Sequence, residues 1–549
     1  MHYGVRGFEA MGLFCHLLTF PFGVFIYAAT RPRDFFLEPS GGYPQHDVTF
    51  PSYPETAMLT PRTPAATSRR RFLQTAALGA AAVPWSPLLR AQGANSDIRV
   101  AVIGTGGQGS GHASRLLKDT KGCRFVAACD ADYNASERNK TAASALGQNI
   151  QTYIDYRRLL ENKDIDAVII ATPNHTHSLI GIAALQAGKH VYVEKPVSHN
   201  IWEGRQLATA AAQSPQLIAM HGMQRRSSAG WAEVAEFVKT PNGPLGKLIL
   251  SRGLCYKKRD NIGKVNAPQP VPPGVDYNLW SGPREMLPIM RQRFHYDWHW
   301  QWPYGNGDIG NQGPHQLDVA RWVIGDPSEL PSEVLCLGGR FGYEDDATTA
   351  NTQIAFFNYH PVPVIFEVRG LPEKNMDFKL GTSKFRVGTS GIDVGNILHF
   401  EGGTIAENIA YDTEGKRVQK FGEMGGESHQ QNFIDAIKAG KLVSDGHGVL
   451  TGHHAASLAH MANISYRLGQ PVDPASVKPS LEGHTAAIET FERMQQHLSD
   501  NGLDIGALKP VAGARLTFDP KAEQFTGALA AEANAIVKET YREEFSIKV

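Results

Sequence analysis

The feature that most constrains the fold is an alternation of short apolar runs with longer helical stretches, which begins near Ile98. The apolar runs are Arg99 to Ile103, Phe125 to Cys129, Ala167 to Ala171, His190 to Val193 and Leu217 to Met220. Runs this short and apolar are typical of buried parallel strands, and stretches such as Leu179 to Ala187 predict crossover helices between them. The sequence therefore predicts a doubly wound α/β domain built on a parallel sheet.

The first run leads directly into a glycine-rich turn with the sequence GTGGQG, in which Gly104, Gly106 and Gly109 form a GxGxxG pattern. Such a turn allows a tight bend, a close approach of the backbone to a pyrophosphate, and close packing of helix on strand. Asp130 ends the second run, where a carboxylate can accept hydrogen bonds from both ribose hydroxyls and repel a 2′-phosphate. We therefore expect a Rossmann domain that binds NAD rather than NADP, with Asp132 as the alternative ribose contact or a solvated loop acid.

Two further segments follow predicted strands at their carboxyl ends, where ligands bind open α/β sheets. They are Thr172 to His177 (TPNHTH) and Glu194 to Pro196 (EKP). With the glycine turn and Asp130, they occur in the order and approximate spacing of the Gfo/Idh/MocA family of sugar and polyol oxidoreductases, which the chain from Ile98 to Val549 resembles. The resemblance implies that the cofactor contacts include Thr172, Pro173, Asn174, His177, Glu194 and Lys195.

Beyond Met220 the pattern changes to alternating strands, which favours an antiparallel sheet. The predicted strands include Lys247 to Tyr256, Thr348 to Phe357 and Pro363 to Arg369, and the predicted helices include Gln312 to Val323, Gln430 to Ala439 and Leu450 to Leu468. The resemblance implies a C-terminal α+β domain with a large, mostly antiparallel open sheet. Because that sheet often mediates oligomerisation in the family, we expect a homo-oligomer.

The amino-terminal part of the chain carries a targeting pattern. The sequence SRRRFL at residues 68–73 precedes a small apolar stretch and then Ala91, Gly93 and Ala94, which suit signal-peptidase cleavage. This resembles a twin-arginine export signal and predicts a periplasmic or otherwise exported protein that folds with its dinucleotide before export. The alternative is a solvated basic run beside a weak helix.

These patterns divide the chain into five segments. Residues 1–67 are an over-called start or a true extension, 68–94 the twin-arginine segment, 95–220 the NAD(P)-binding Rossmann domain, 221–502 the substrate and oligomerisation domain, and 503–549 a C-terminal arm of low periodicity. We expect no membrane span in the mature protein.

Oxidation of an alcohol carbon requires a group that removes the hydroxyl proton while hydride leaves for a nicotinamide. The resemblance implies that the EKP lysine, Lys195, orients the hydroxyl and that the histidine of a DxGxH segment, His315, is the acid/base. The matching segment reads NQGPH, so Asn311 replaces the usual aspartate; it can bind substrate or orient His315 but cannot carry a proton at neutral pH. Asp308 and Asp318 are nearby carboxylates, for which a structural role ranks above that of substitute.

Aromatic residues crowd the stretch just before Asp308, and Trp298 and Trp300 are the candidates for the wall of a sugar site. The alternative is an aromatic core or interface. Gln224 and Arg225 follow the fifth apolar run and can reach substrate hydroxyls or the cofactor, unless they belong to a charged loop.

Composition narrows the choice of partner. The formal net charge is zero, with 54 basic and 54 acidic side chains, so no overall field draws the chain to nucleic acid or an anionic membrane. The five cysteines are widely spaced and predict neither a disulfide framework nor a zinc site, and we expect no metal. The leading hypothesis is an NAD(P)-dependent oxidoreductase for a secondary hydroxyl or ketone of a sugar, glycoside or cyclitol. The alternatives are a redox-neutral glycosidase or lyase that uses NAD transiently, and a cofactor-retaining sugar-binding protein without turnover.

Overall fold

The computed structural model describes residues 97–372, 393–426, 428–481 and 485–549. The expectations for residues 1–94, including the twin-arginine segment, lie outside the described residues.

The first sheet consists of six parallel strands in the order β3-β2-β1-β4-β5-β6, which is the doubly wound Rossmann order. Its strands are β1 (Ile98–Ile103), β2 (Cys123–Cys129), β3 (Gln151–Tyr153), β4 (Ala167–Ile170), β5 (His190–Val193) and β6 (Ala219–His221). The parallel sheet predicted from the apolar runs is confirmed. The structure adds the edge strand β3, whose sequence Gln-Thr-Tyr contains no apolar run.

Helices on both faces of this sheet follow its strands. They are α1 (Gly107–Lys118), α2 (Tyr133–Ala145), α3 (Tyr156–Glu161), α4 (His177–Gln186) and α5 (Ile201–Ala212), whereas the next helix, α6 (Ala229–Lys239), packs with Val319 and Leu398 of the second domain. Several begin where a short polar side chain accepts a hydrogen bond from a first-turn amide, as Asp132 does for α2 and Asn200 for α5. Parallel register aligns Ile103, Ile170 and Val193, so the loops that follow β1, β4 and β5 meet at one edge.

The second sheet contains twelve strands within the described ranges and is mixed but mostly antiparallel. Its strands are β7 (Leu248–Tyr256), β8 (Glu333–Gly339), β9 (Thr352–Phe357), β10 (Val364–Arg369), β11 (Val394–Phe400), β12 (Gly403–Ala406), β13 (Ile409–Asp412), β14 (Arg417–Lys420), β15 (Gln470–Pro471), β16 (Val511–Ala512), β17 (Leu516–Asp519) and β18 (Gln524–Thr526). Strands β7 and β10 pair in parallel, whereas the other described pairings are antiparallel. The predicted α+β domain is therefore confirmed.

The remaining described helices belong to the second domain, and some of them connect its sheet to the first domain. They are α7 (Tyr277–Ser281), α8 (Gly307–Asn311), α9 (Gly313–Val323), α10 (His429–Ala439), α11 (Val449–Arg467), α12 (Val477–Ser480), α13 (Thr485–Asp500) and α14 (Ala530–Val537). Phe433 and Ile434 of α10 pack with Val102 and Leu116 in the core of the first domain. Helix α11 packs on α5, on α9 and on β8, so its nineteen residues are buried on nearly every side.

Helix α13 covers part of the sheet face opposite α9 and α11. Side chains alternate along β8, so Val334 and Cys336 face the inner core, whereas Leu335 and Leu337 face the outer one. Phe491 of α13 belongs to that outer core. The face expected to be open is therefore covered at these strands by the chain itself, and the homo-oligomer remains a prediction.

The segment expected to be a low-periodicity arm contributes regular structure. Strands β16, β17 and β18, which all follow residue 502, belong to the second sheet, and α14 packs against the inner core of that sheet. The last residues then return to the first domain, whose core includes Phe545, and Arg542 donates hydrogen bonds to the main-chain oxygens of Gly282 and Asn278 at α7. No described helix combines the length and the apolar character that crossing a membrane requires.

Candidate functional site

A cavity of about 450 Å³ lies at the carboxyl edge of the first sheet, between that edge and the second domain. Most residues predicted from the motifs line it: Gly104, Gly106, Asp130, Thr172, Pro173, Asn174, His177, Glu194, Lys195, Trp298 and Asn311. The predicted residues that stand outside its lining are Gly109, Gln224, Arg225, Trp300 and His315. The structure thus brings the loop motifs of the first domain to a single site.

The glycine turn has the geometry that a dinucleotide requires. Gly104 has φ +83°, and a Cβ there would lie 2.4 Å from the Thr172 amide nitrogen. A Cβ on Gly109 would lie 1.7 Å from the Gly104 oxygen, so helix and turn pack too closely for any side chain. A Cβ on Gly106 would meet nothing within 4 Å, which leaves room beside the amino end of α1 for a pyrophosphate. These residues fit NAD.

Asp130 lies where the adenosine ribose would bind. Its Oδ2 accepts a hydrogen bond from the Thr105 amide at 2.6 Å, and its Oδ1 accepts one from the Asp132 amide at 2.9 Å. Burial raises the pKa of the Asp130 carboxyl. The Oδ2 also accepts a long hydrogen bond, 3.4 Å, from the Thr105 hydroxyl, whereas Oδ1 keeps a lone pair for a ribose hydroxyl. Asp132 is buried, caps α2 and lies 3.2 Å from His295, so it is not a solvated loop acid.

The TPN and EKP loops are bonded to each other and to the second domain. The His177 ring nitrogens lie 2.6 Å from the Pro196 oxygen and 2.7 Å from the Thr172 oxygen. The Asn174 side-chain nitrogen donates to the Asn306 side-chain oxygen at 2.5 Å. His177 and Asn174 therefore set the width of the cavity by holding its walls together.

Lys195 lies at the junction of the two walls. Its Nζ donates to the main-chain oxygen of Asn311 at 2.9 Å and to the Asn311 Oδ1 at 3.2 Å. Burial lowers the pKa of Lys195, although the neighbouring Glu194 carboxylate opposes this shift. An ammonium has three donors, so one N–H remains for a ligand.

Glu194 is held by the first domain rather than offered to a ligand. Its Oε1 accepts a hydrogen bond from His112 at 2.9 Å, and its Oε2 accepts one from the Lys195 amide at 3.0 Å. Burial opposes ionisation, but the bond from His112 and the charges of His112 and Lys195 prevail and lower the pKa of Glu194. The Glu194 carboxylate is therefore ionised at neutral pH, and its negative charge acts on the neighbouring Lys195.

His315 stands in the first turn of α9, behind the lining of the cavity. Its ring is 8% exposed, and its Nδ1 has no hydrogen-bond partner among the described residues. Burial, followed by the charge of Lys195, lowers the pKa of His315 well below its usual range. The ring is therefore neutral at pH 7.

The nearby carboxylates Asp308 and Asp318 form buried ion pairs. Asp318 accepts two hydrogen bonds from Arg226, at 2.7 and 2.8 Å, and Asp308 accepts two from Arg259, at 2.5 and 3.0 Å. These contacts agree with the structural role that ranked first for both.

The aromatic stretch is divided between the cavity and the core. Trp298 stacks on His299 with ring centroids 3.7 Å apart, and both line the cavity. Trp300 is buried behind them, where the Arg259 guanidinium lies over its ring. Gln224 is exposed outside the cavity, and Arg225 lies beyond its lining.

Three cavity residues have roles that the sequence did not single out. The His299 Nδ1 donates to the Tyr296 oxygen at 2.6 Å, which leaves Nε2 as an acceptor, because burial lowers the pKa of His299 to about 3. Lys257 and Arg259 line the opposite wall directly after β7. The sequence could have indicated Lys257 and Arg259, because they follow soon after the predicted strand Lys247 to Tyr256.

One group of possible metal ligands lies elsewhere among the described residues. His453, His454 and Glu523 are buried and place ligand atoms within 4.8 Å of one another. Arg205 forms an ion pair with Glu523, and Arg321 lies beside His454, so two positive charges oppose a cation there.

Comparison with known proteins agrees with this architecture. Residues 98–221 match the model described as the oxidoreductase family, NAD-binding Rossmann fold, and residues 244–382 match its C-terminal alpha/beta domain. An inositol 2-dehydrogenase of Salmonella paratyphi B is 26% identical over 174 residues, which are 32% of this chain and 50% of that protein. A myo-inositol 2-dehydrogenase of Thermotoga maritima is 29% identical over 232 residues, 42% of this chain and 56% of that protein.

The chain spans about half the length of these curated relatives. Among solved structures, myo-inositol dehydrogenase from Lactobacillus casei, in complex with NAD(H) and myo-inositol, aligns with a TM-score of 0.46 at 18% identity, covering 68% of this chain and 95% of that one. Residues 98–221 and 244–382 therefore match the two domain models of the Gfo/Idh/MocA oxidoreductase family, the first of which is described as an NAD-binding Rossmann fold.

Proposed function

We propose that the protein is an NAD(H)-dependent oxidoreductase that acts on a secondary hydroxyl or ketone of a sugar, glycoside or cyclitol. The observation that carries this proposal is the position of Lys195, half-buried where the glycine-turn wall meets the wall of the second domain. The names of the inositol dehydrogenase relatives support the class of substrate.

Bound NAD would take up hydride from the carbon that bears the hydroxyl. Lys195 directs its remaining N–H toward that hydroxyl, while Asn311 holds the other two. A lowered pKa brings the ammonium closer to the range in which proton exchange is efficient near neutral pH. His315, close enough to respond to the charge of Lys195, is the neutral group that takes the proton onward. Trp298 and His299 offer a flat face to the sugar ring.

The test is NADH formation by the purified chain with myo-inositol, D-glucose and D-glucuronate as probes, followed by absorbance. We expect reduction with at least one probe, and its loss in Lys195→Met. Protein that binds NAD yet reduces none of it with any probe would contradict the proposal.

A redox-neutral glycosidase or lyase is the second candidate, because the Lys195 ammonium is held by the amide Asn311 where the family has an aspartate. In that case an aryl glycoside is cleaved without net NADH. We expect Asn311→Asp to maintain or raise NADH formation if the protein is a dehydrogenase, and to impair cleavage if it is a glycosidase.

The twin-arginine segment supports a further proposal, export of the folded protein to the periplasm. We expect Arg69→Lys together with Arg70→Lys to retain the protein in the cytoplasm, because the pathway recognises guanidinium groups that lysine does not reproduce. Unchanged export in a fractionation assay would contradict this.

A further inference from the structure

The second-domain wall of the cavity is basic. Its lining residues include Lys257 and Arg259 but no aspartate or glutamate. The charge of Arg259 is balanced by Asp308, with which it forms an ion pair. Lys257 is exposed to the cavity, and its side chain makes no hydrogen bond or ion pair with any described residue. One positive charge on this wall is therefore without a partner among the described residues.

Two further cations, Lys195 and Arg225, form no ion pair with a described carboxylate, although the charges of Glu194 and Asp308 act on Lys195 and that of Glu407 acts on Arg225. The Lys195 ammonium is bonded to two neutral oxygens of Asn311, and its charge and that of Lys257 are close enough to repel. Arg225 is half-buried and close enough to His315 for its charge to lower the pKa of that ring, and its one described hydrogen bond is a long one, 3.4 Å, to the Val394 oxygen. The Glu194 carboxylate is already engaged by His112.

A half-buried charge without an ion-pair partner, such as that of Lys195 or Arg225, is costly, and a ligand of opposite charge reduces that cost. We infer that the substrate is a sugar or cyclitol that bears an anionic group, a carboxylate or a phosphate, and that Lys257 binds that group opposite Lys195. This inference rests on the proposed function, since it names the substrate of the same site. The stacked Trp298 and His299 would lie against the ring of that sugar.

The experiment compares kcat/KM of the NAD-loaded protein for D-glucuronate, D-glucose 6-phosphate and D-glucose. We expect at least one anionic probe to exceed D-glucose by about tenfold, with a KM that rises as salt is added. Lys257→Gln should lower that preference about tenfold. The matched control is Lys258→Gln, because Lys258 is exposed and paired with Asp260 at 3.3 Å outside the cavity lining.

The outcomes separate the two claims. Oxidation of D-glucose as efficient as that of both anionic probes, or a preference unchanged by Lys257→Gln, overturns the inference and leaves the dehydrogenase intact. If no probe is oxidised, the proposed function fails and calorimetry with NAD-loaded protein decides the inference. Binding of D-glucuronate or D-glucose 6-phosphate that exceeds that of D-glucose, and that Lys257→Gln weakens, supports it; equal or absent binding overturns it.

Discussion

At the scale of single residues, the site depends on groups that are buried or half-buried and incompletely bonded. Lys195 keeps one free N–H, and His315 keeps an unbonded Nδ1, in surroundings that lower the pKa of both. Such groups cost stability and are typical of functional sites. Asp130, in contrast, accepts hydrogen bonds from backbone amides of the neighbouring loops. It therefore stabilises these loops as well as being placed to bind the ribose.

We expect Lys195→Met and His315→Ala each to lower turnover roughly 10²- to 10⁴-fold, the range for losing a positioned acid/base. NAD affinity, measured by calorimetry, should change little. The double variant should lose less than the product of the two single losses, because the two groups act as a unit. Full activity in the double variant would refute the assigned roles.

We expect Asp130→Asn to weaken NAD binding by roughly 1 to 3 kcal/mol, because a charged acceptor for the ribose hydroxyls is lost. Binding of NADP should weaken much less, since the carboxylate repels its 2′-phosphate. Titration of both cofactors provides the control, and equal losses would place Asp130 away from the ribose.

At the scale of elements, the carboxyl-terminal segment after α14 forms hydrogen bonds and ion pairs that stabilise one wall of the cavity. Arg542 donates to the Asn278 oxygen at 2.7 Å and to the Gly282 oxygen at 2.9 Å. Gly282 lines the cavity and packs against Thr176 of the TPN loop. Glu539 adds an ion pair to Arg284 in the same stretch.

Arg542→Ala should therefore raise the Kd for NAD about tenfold and lower the Tm by a few degrees, because two main-chain oxygens lose their donor. The control is Lys548→Ala, an exposed side chain in the same segment. A Kd unchanged in Arg542→Ala, with only the Tm lowered, would show that the segment stabilises the fold without shaping the site.

The sequence predicted the elements better than their long-range contacts. Apolar runs identified β1, β2, β4, β5 and β6, whereas β3 is too short and polar to be detected. Local motifs located the first-domain half of the cavity, because turn and strand end are adjacent in the chain. Lys257 was missed because its approach to Lys195 depends on how the second sheet packs on the first. Helix α13 could not be placed on the sheet for the same reason.

At the scale of the whole molecule, a buried ionic cluster joins the second sheet to α13. The Glu367 carboxylate accepts hydrogen bonds at 2.6 Å from Arg252, Arg493 and the Tyr256 hydroxyl, and at 3.0 Å from Arg369. Burial opposes ionisation, but the three guanidinium groups prevail and lower the pKa of Glu367 to about 2.

Glu367→Gln should lower the free energy of unfolding by roughly 3 to 5 kcal/mol at pH 7, because it leaves buried arginines unpaired. The unfolded carboxyl has a pKa of 4.5, so the unfolded chain takes up a proton first as the pH falls. The advantage of the wild type should therefore be complete above about pH 5 and shrink as the pH falls from 4.5 toward about 2. Denaturant unfolding at several pH values measures this.

The matched control is Glu492→Gln, whose carboxylate forms an exposed pair with Lys478 and should contribute less than about 1 kcal/mol. A difference between wild type and Glu367→Gln that stays constant down to about pH 3 would contradict the ionic account of this cluster.

The central claim, that this cavity transfers hydride between a polyol carbon and NAD, is tested most directly by isotope transfer. The protein is incubated with NAD and with myo-inositol or D-glucuronate deuterated at every ring carbon. The mass of the NADH that forms is then measured by mass spectrometry. The account predicts NADH heavier by one deuterium, formed by the wild type and absent with Lys195→Met. NADH without deuterium, or deuterated NADH formed equally by Lys195→Met, would contradict it.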